Sequence, residues 1–352
     1  MQVMTQKKIS VLVIDDSALV RKIMIDQLSK FDDIEVIGTA PDPFIGRDKI
    51  VELKPDVLIL DIEMPKMDGL QFLEILMKHQ PMPVIVVSSL ATEGGEVAMR
   101  AIDLGAAEVI AKPGSSYSVM DMTEQLAEKI RAVGSIRVSK RARQEIVPKA
   151  PPKKANSAML KTTNRIITIG ASTGGTEALR EILEALPPDM APIVITQHMP
   201  QFMTKAFADR LNTLCALEVR EAKNGDHVLP GSVLIAPGNC HMELRRSGAR
   251  YYVEITNGPL VHHQRPSVDV MFNSVAEYAG ANAVGVILTG MGKDGANGLL
   301  KLRDAGAITV AQDEASSVVF GMPKEAIEIG AANKVLALKR IAGFLSQYRS
   351  SF

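Results

Sequence analysis

Three residues with the chemistry of acyl transfer follow apolar, strand-like segments beyond residue 165 of this 352-residue chain. RIITIG runs into Ala171-Ser172-Thr173-Gly174-Gly175, and Ala178, Leu179, Ile182, Leu183 and Leu186 then share one helical face. Ser172 is thereby placed between a strand and a helix N-terminus, where glycines permit a sharp turn and free N–H groups favour negative charge. APIVITQHM ends a strand at His198, and AVGVILTGMGKDG ends one near Gly290 with Asp294 in the loop beyond. A serine attacks a carbonyl at neutral pH only when a base takes its proton, and the base needs an acid to orient it. Taken alone, the serine turn suits a phosphate cradle or a helix cap as well as it suits a nucleophile, and Gly170 to Gly174 matches only the short G-x-S-x-G pattern. The set of three, all beyond strand carboxyl ends, favours nucleophile, base and orienting acid. Their order of Ser, His, Asp differs from the Ser, Asp, His order of α/β-hydrolases, which places the triad on another fold.

The first half carries a second constellation. Asp15 and Asp16 close one apolar run, Asp61 another, Ser88 and Ser89 a third, and Lys112 a fourth. Ligands in open α/β sheets bind at such strand ends. Converging carboxylates repel one another, and a hard divalent cation with oxygen ligands relieves this. A metal-bearing acid pocket suits phosphoryl transfer, with Asp61 as nucleophile, Lys112 neutralising phosphoryl oxygens and the Ser88 hydroxyl hydrogen-bonding one of them.

The elements that must position these groups alternate. ISVLVIDD, EVIGTA, DVLILD, PVIVVSS and AEVIAKP are separated by helical periods such as Leu19, Val20, Ile23, Met24 and Leu28. Continuous apolar strands between helices imply a parallel sheet covered on both faces. The alternation resumes with RIITIGAS, APIVITQH, SVLIAPG, AVGVILTG and AITVAQDE, interrupted by a hairpin about Ser247 and Gly248. Both halves are therefore α/β, and the second is a doubly wound, mostly parallel sheet with an antiparallel hairpin.

Charge separates the halves. Residues 1–130 hold 13 basic and 21 acidic residues, 131–165 hold 10 and 1, and 166–352 hold 17 and 18. The basic block contains Pro148, Pro151 and Pro152 without a sustained apolar period, which reads as a linker. We expect domains over 1–130 and 163–352 joined by a linker over 131–162. The block has no aromatic residues for base stacking, and neither half shows a basic helix-turn-helix, so no nucleic-acid partner is expected. GMGKDG lacks the Ser or Thr that a phosphate loop needs after its lysine. Cys215 and Cys240 form neither a disulfide framework nor a zinc pattern. His79, His227, His241, His262 and His263 fall at a helix end, in loops or in the hairpin, where exposure is the expectation. With 46% hydrophobic residues, no apolar run of membrane length and no apolar leader, the chain is expected to fold in the cytosol without membrane insertion.

Across roughly residues 8–130, including D-I-E-M-P-K-M-D-G from Asp61 to Gly69, the chain resembles the receiver domain of two-component response regulators. That resemblance implies a flavodoxin-like fold with a five-stranded parallel sheet, phosphorylation of Asp61 by a chemotaxis histidine kinase, and Mg²⁺ held by Asp15, Asp16 and Asp61 with the Glu63 carbonyl. It also implies phosphate sensing by Ser88 and Lys112, and a cis Pro113. Val109 stands where many receivers carry Phe or Tyr, which argues against an aromatic-rotamer relay. Across roughly 163–345, IGASTGG, QHMP, LTGMGKDGANGL and AQDEASSVVFGMPKEAI closely resemble the catalytic domain of the chemotaxis protein-glutamate methylesterase family, CheB. This implies Ser172 as nucleophile, His198 as base, Asp294 as its orienter and the Met291 N–H as oxyanion donor. The implied substrates are glutamyl methyl esters of methyl-accepting chemoreceptors, with deamidation of receptor glutamine in some relatives and no cofactor for the esterase. A response regulator that only binds a partner is the rival reading, and it would need no Ser, His and Asp.

Overall fold

In a computed structural model, residues 8–65, 67–88, 94–112, 119–134 and 165–349 are described. Lys66, Ser89, Pro113 and most of the basic block lie outside them. The chain divides into two units on either side of the Gln144–Glu145 bond.

The first unit alternates strictly: β1 (Ile9–Ile14), α1 (Ala18–Leu28), β2 (Ile34–Ala40), α2 (Pro43–Leu53), β3 (Val57–Asp61), α3 (Gly69–His79), β4 (Val84–Ser88), α4 (Gly94–Asp103), β5 (Glu108–Ala111) and α5 (Val119–Gly134). All strand pairs are parallel, in the order β2-β1-β3-β4-β5. Every residue of β3 and β4 is buried, as strands covered by helices on both faces must be. Ser17, Asp42 and Asp68 start α1, α2 and α3 as side-chain caps on otherwise unpaired N–H groups. α5 continues to Gly134 and buries Ile130, Ala132 and Val133. Residues 131–134, expected in the linker, therefore belong to a helix, because the apolar period of Leu126, Ile130 and Val133 runs through the change in charge at Arg131.

In the second unit the order is β6 (Ile166–Ala171), α6 (Gly175–Glu184), β7 (Ile193–Gln197), α7 (Gln201–Leu214), β8 (Glu218–Glu221), β9 (Ser232–Ile235), β10 (His241–Ser247), β11 (Arg250–Thr256), α8 (Val268–Tyr278), β12 (Ala283–Ile287), α9 (Ala296–Asp304), β13 (Ile308–Gln312), α10 (Met322–Glu328), β14 (Lys334–Leu336) and α11 (Leu338–Leu345). Seven parallel strands are ordered β14-β13-β12-β6-β7-β9-β8. The hairpin β10–β11 stands apart as its own two-stranded sheet, packed on α8 through Met242, Leu244, Tyr251 and Val253 against Met271, Phe272 and Val275. Ser274 Oγ takes the Leu244 N–H at 2.8 Å and ties the two together.

β6 lies at the centre of this sheet, and the chain winds outward from it first to β7 and later to β12. That reversal is a topological switch point, where strand-end loops diverge and leave a crevice. The loops after β6, β7 and β12 carry Ser172, His198 and Asp294.

Candidate active sites

In the first unit Asp15 and Asp61 are buried and Asp16 is exposed, with carboxylate oxygens of all three within 4.8 Å of one another. Lys112 Nζ lies 2.6 Å from Asp61 Oδ2 and 3.5 Å from Asp15 Oδ2. Burial pushes the Asp61 carboxyl up, Lys112 pulls it back, and Asp15 adds to the rise, leaving it above the ordinary carboxylate value. Burial alone would lower Lys112, but Asp61 and Asp15 hold it above the usual lysine value. Three carboxylates this close to one another match the oxygen-ligand preference of Mg²⁺. The Glu63 N–H donates to Asp61 Oδ1 at 3.2 Å, which brings the Glu63 backbone to the pocket. Ser88 ends β4 and is buried. Two residues not singled out from sequence shape the rim. Ser17 donates its N–H to Asp15 Oδ1 at 2.8 Å, and Arg21 Nη1 donates to the Asp15 and Asp16 carbonyls. Only their place just after the first apolar run, at the cap and in the first turns of the following helix, hinted at this.

In the second unit Ser172, His198 and Asp294 are all buried. The α6 cap is Gly174, at φ 77°, with no side-chain capping bond, so the Ser172 hydroxyl is not spent as a helix cap. Gly290 makes the approach of the β12 loop possible: a Cβ there would lie 2.6 Å from Ser172 Cβ. The next residue, Met291, is therefore a neighbour of the serine, and no hydrogen bond uses its N–H among the described residues. Gln197, unremarked in the sequence, links the first two loops by donating Nε2 to the carbonyls of Ser172 at 2.9 Å and His198 at 3.1 Å.

His198 Nε2 meets Asp294 Oδ2 at 2.8 Å. Asp294 is itself gripped by the start of α8: Ser267 Oγ and the Asp269 N–H donate to Oδ1 at 2.8 and 3.1 Å, and the Val268 N–H donates to Oδ2 at 2.7 Å. Burial pushes the Asp294 carboxyl up, but His198 and these donors outweigh it and hold it below the ordinary carboxylate value. An ionised Asp294 fixes the neutral imidazole with its proton on Nε2. Nδ1 is then the proton acceptor, and it is buried without a hydrogen-bond partner. The arrangement can deprotonate a hydroxyl, hold the resulting imidazolium beside a carboxylate, and return the proton to a leaving group.

Two histidines differ from expectation. His241 is only 1% exposed, with Nδ1 accepting the Ser267 N–H and Nε2 on the Pro259 carbonyl. His262 meets Asp269 rather than solvent alone. His241 opens β10, which packs on α8, and His262 lies in the Val261–Gln264 turn ahead of that helix.

The profile of the CheB methylesterase family matches residues 167–345, and that of the response regulator receiver domain matches 11–124. A protein-glutamate methylesterase/protein-glutamine glutaminase of Syntrophus aciditrophicus is 60% identical over 335 residues, covering 95% of this chain and 97% of that protein. A protein of the same description from Salmonella typhimurium is 51% identical over 337 residues, 95% of each chain. Among solved structures, the Thermotoga maritima CheB methylesterase catalytic domain is 40% identical with a TM-score of 0.52, covering 53% of this chain and 99% of that one.

Proposed function

The chain belongs to the CheB methylesterase family, and from that premise we propose that it hydrolyses glutamyl methyl esters on methyl-accepting chemoreceptors in the cytoplasm under the control of Asp61 phosphorylation. The observation that carries the esterase chemistry is the state of His198: Nε2 committed to a carboxylate held ionised by three further donors, and Nδ1 buried with nothing to bond.

Ser172 Oγ attacks the γ-carbonyl carbon as its proton passes to His198 Nδ1, and the oxyanion takes the Met291 N–H. The tetrahedral intermediate collapses with loss of the methoxy group, which leaves as methanol with the proton from Nδ1, and an acyl ester on Ser172 remains. Water then attacks that ester, giving a proton to Nδ1, and the Ser172 oxygen departs with it. The products are methanol and the glutamyl carboxylate. The same attack on a side-chain amide expels ammonia, so receptor glutamine is a second substrate class, in keeping with the double description of the relatives. No step of the esterase calls for a cofactor.

In the first unit, Asp15, Asp16 and Asp61 with the Glu63 carbonyl would hold Mg²⁺, which when bound neutralises phosphoryl oxygens. An Asp61 oxygen attacks the phosphorus of the kinase phosphohistidine, the P–N bond breaks, and Lys112 and Ser88 contact the transferred group. Asp61→Asn removes the attacking oxygen. With a small-molecule phosphodonor and Mg²⁺, methanol release from methylated receptor should rise for the wild-type chain and not for the variant, and EDTA should abolish the wild-type rise. Equal stimulation of both would remove Asp61 from control.

Among the described residues no helix is long and apolar enough to cross a membrane.

A further inference from the structure

Behind Asp294 lies a second carboxylate–imidazole pair that the reaction above does not use. Asp269, in the first turn of α8, is 5% exposed and gives its backbone N–H to Asp294 Oδ1. Its own carboxylate serves other partners: Oδ1 accepts the Gly298 N–H of α9 at 2.6 Å, and Oδ2 meets His262 Nε2 at 3.1 Å. The two helices thus cap each other, with Asp294 ahead of α9 holding the start of α8 and Asp269 inside α8 holding the start of α9. Side-chain atoms of His262, Asp269 and Asp294 lie within 4.8 Å of one another. Burial pushes the Asp269 carboxyl up, the Gly298 N–H pulls it back, Asp294 adds to the rise, and His262 opposes it.

His262 is held there by a demanding turn. Val261 and Gln264 exchange both N–H···O bonds, at 3.1 and 2.9 Å, around His262 and His263 at φ 49° and 59°. A two-residue turn with both central residues at positive φ favours Asn-Gly. Two consecutive histidines in that conformation store strain, which persists where surrounding contacts over-determine it. Within this turn His262 meets Asp269.

We propose that His262 is a positioning residue for the esterase, holding Asp269 and with it the first turn of α8 whose three donors aim Asp294 at His198. It touches no reacting atom. The inference rests on the triad reading given under Proposed function.

The test is methanol release by the full chain, with methylated receptor as substrate. His262→Asn suits the turn better than histidine but is too short to reach Asp269, whereas His262→Gln carries an N–H donor at about the reach of Nε2. His262→Asn should lower kcat about tenfold with KM little changed, as misaimed catalytic groups do. Its unfolding midpoint should stay level or rise. His262→Gln should recover kcat to within about threefold of wild type. A His262→Asn kcat within about twofold of wild type overturns the proposal, as does a His262→Gln variant equally slow, or a loss that follows a lowered unfolding midpoint. Ser172→Ala in the same assay separates the two readings. If that variant still turns over, the triad reading has failed. If it is inactive while His262→Asn is not, only the role of His262 has.

Discussion

Ser172→Ala should lower methanol release from methylated receptor by roughly a thousandfold or more, because loss of a triad nucleophile removes the covalent route and leaves only binding and oxyanion stabilisation. The fold should not suffer. Ser172 is held through its backbone, which donates to the Thr289 carbonyl at 3.0 Å and accepts from Gly175 N–H at 2.7 Å and Gln197 Nε2 at 2.9 Å. None of these contacts involves Oγ, so the alanine variant keeps them all. Phosphorylation of Asp61 should proceed normally, since its groups belong to a different sheet. Residual release above about a thousandth of wild type would count against covalent catalysis and favour direct attack of water assisted by His198.

The strands that position both sites were legible because each is a short run buried on both faces. All six residues of β6 and all five of β3, β4, β7 and β12 are buried, which demands mostly apolar sequence, broken here by Thr168, Thr196 and the terminal Asp61, Ser88 and Gln197. The polar residue after such a run is then conspicuous, and Asp61, Ser88, Ser172 and His198 were found that way. β8 and β14 escaped notice because they are the sheet edges, where Glu218, Lys334 and Val335 face water and no apolar pattern is required. What surrounds Asp294 was illegible for a different reason. Ser267, Val268 and Asp269 reach it from 25 to 27 residues away through two backbone N–H groups and one hydroxyl. Backbone donors carry no residue-type signature. His241 looked exposed because a hairpin usually shows one face to water, and it is the packing of β10 on α8 that buries it, whereas His262 stays partly exposed in the turn ahead of α8 while reaching Asp269.

Asp294→Asn should reduce turnover by about 10³ to 10⁴ while the protein stays folded, in line with loss of the orienting carboxylate in other serine triads. The hydrogen bonds indicate what is lost. An amide oxygen at the Oδ2 position still accepts from His198 Nε2 and the Val268 N–H, and the amide nitrogen at the Oδ1 position is accepted by a rotated Ser267 hydroxyl. One clash remains, against the Asp269 N–H, which is left unpaired in a buried place. This orientation preserves the His198 tautomer and removes the charge, so the defect falls on stabilising the imidazolium formed as Ser172 attacks. Because Asp294 is held below its ordinary value of 3.8, it is ionised throughout the neutral range, and mild acid does not mimic the substitution. The sign for stability follows from the same depression. The ionised carboxylate stabilises the second unit at pH values above 3.8, and that contribution disappears as the pH falls through the lower folded value. Acid unfolding of the wild-type second unit should therefore show a component below pH 3.8 that Asp294→Asn lacks. Turnover within about tenfold of wild type would take Asp294 out of catalysis and leave it as the cap of α8 alone.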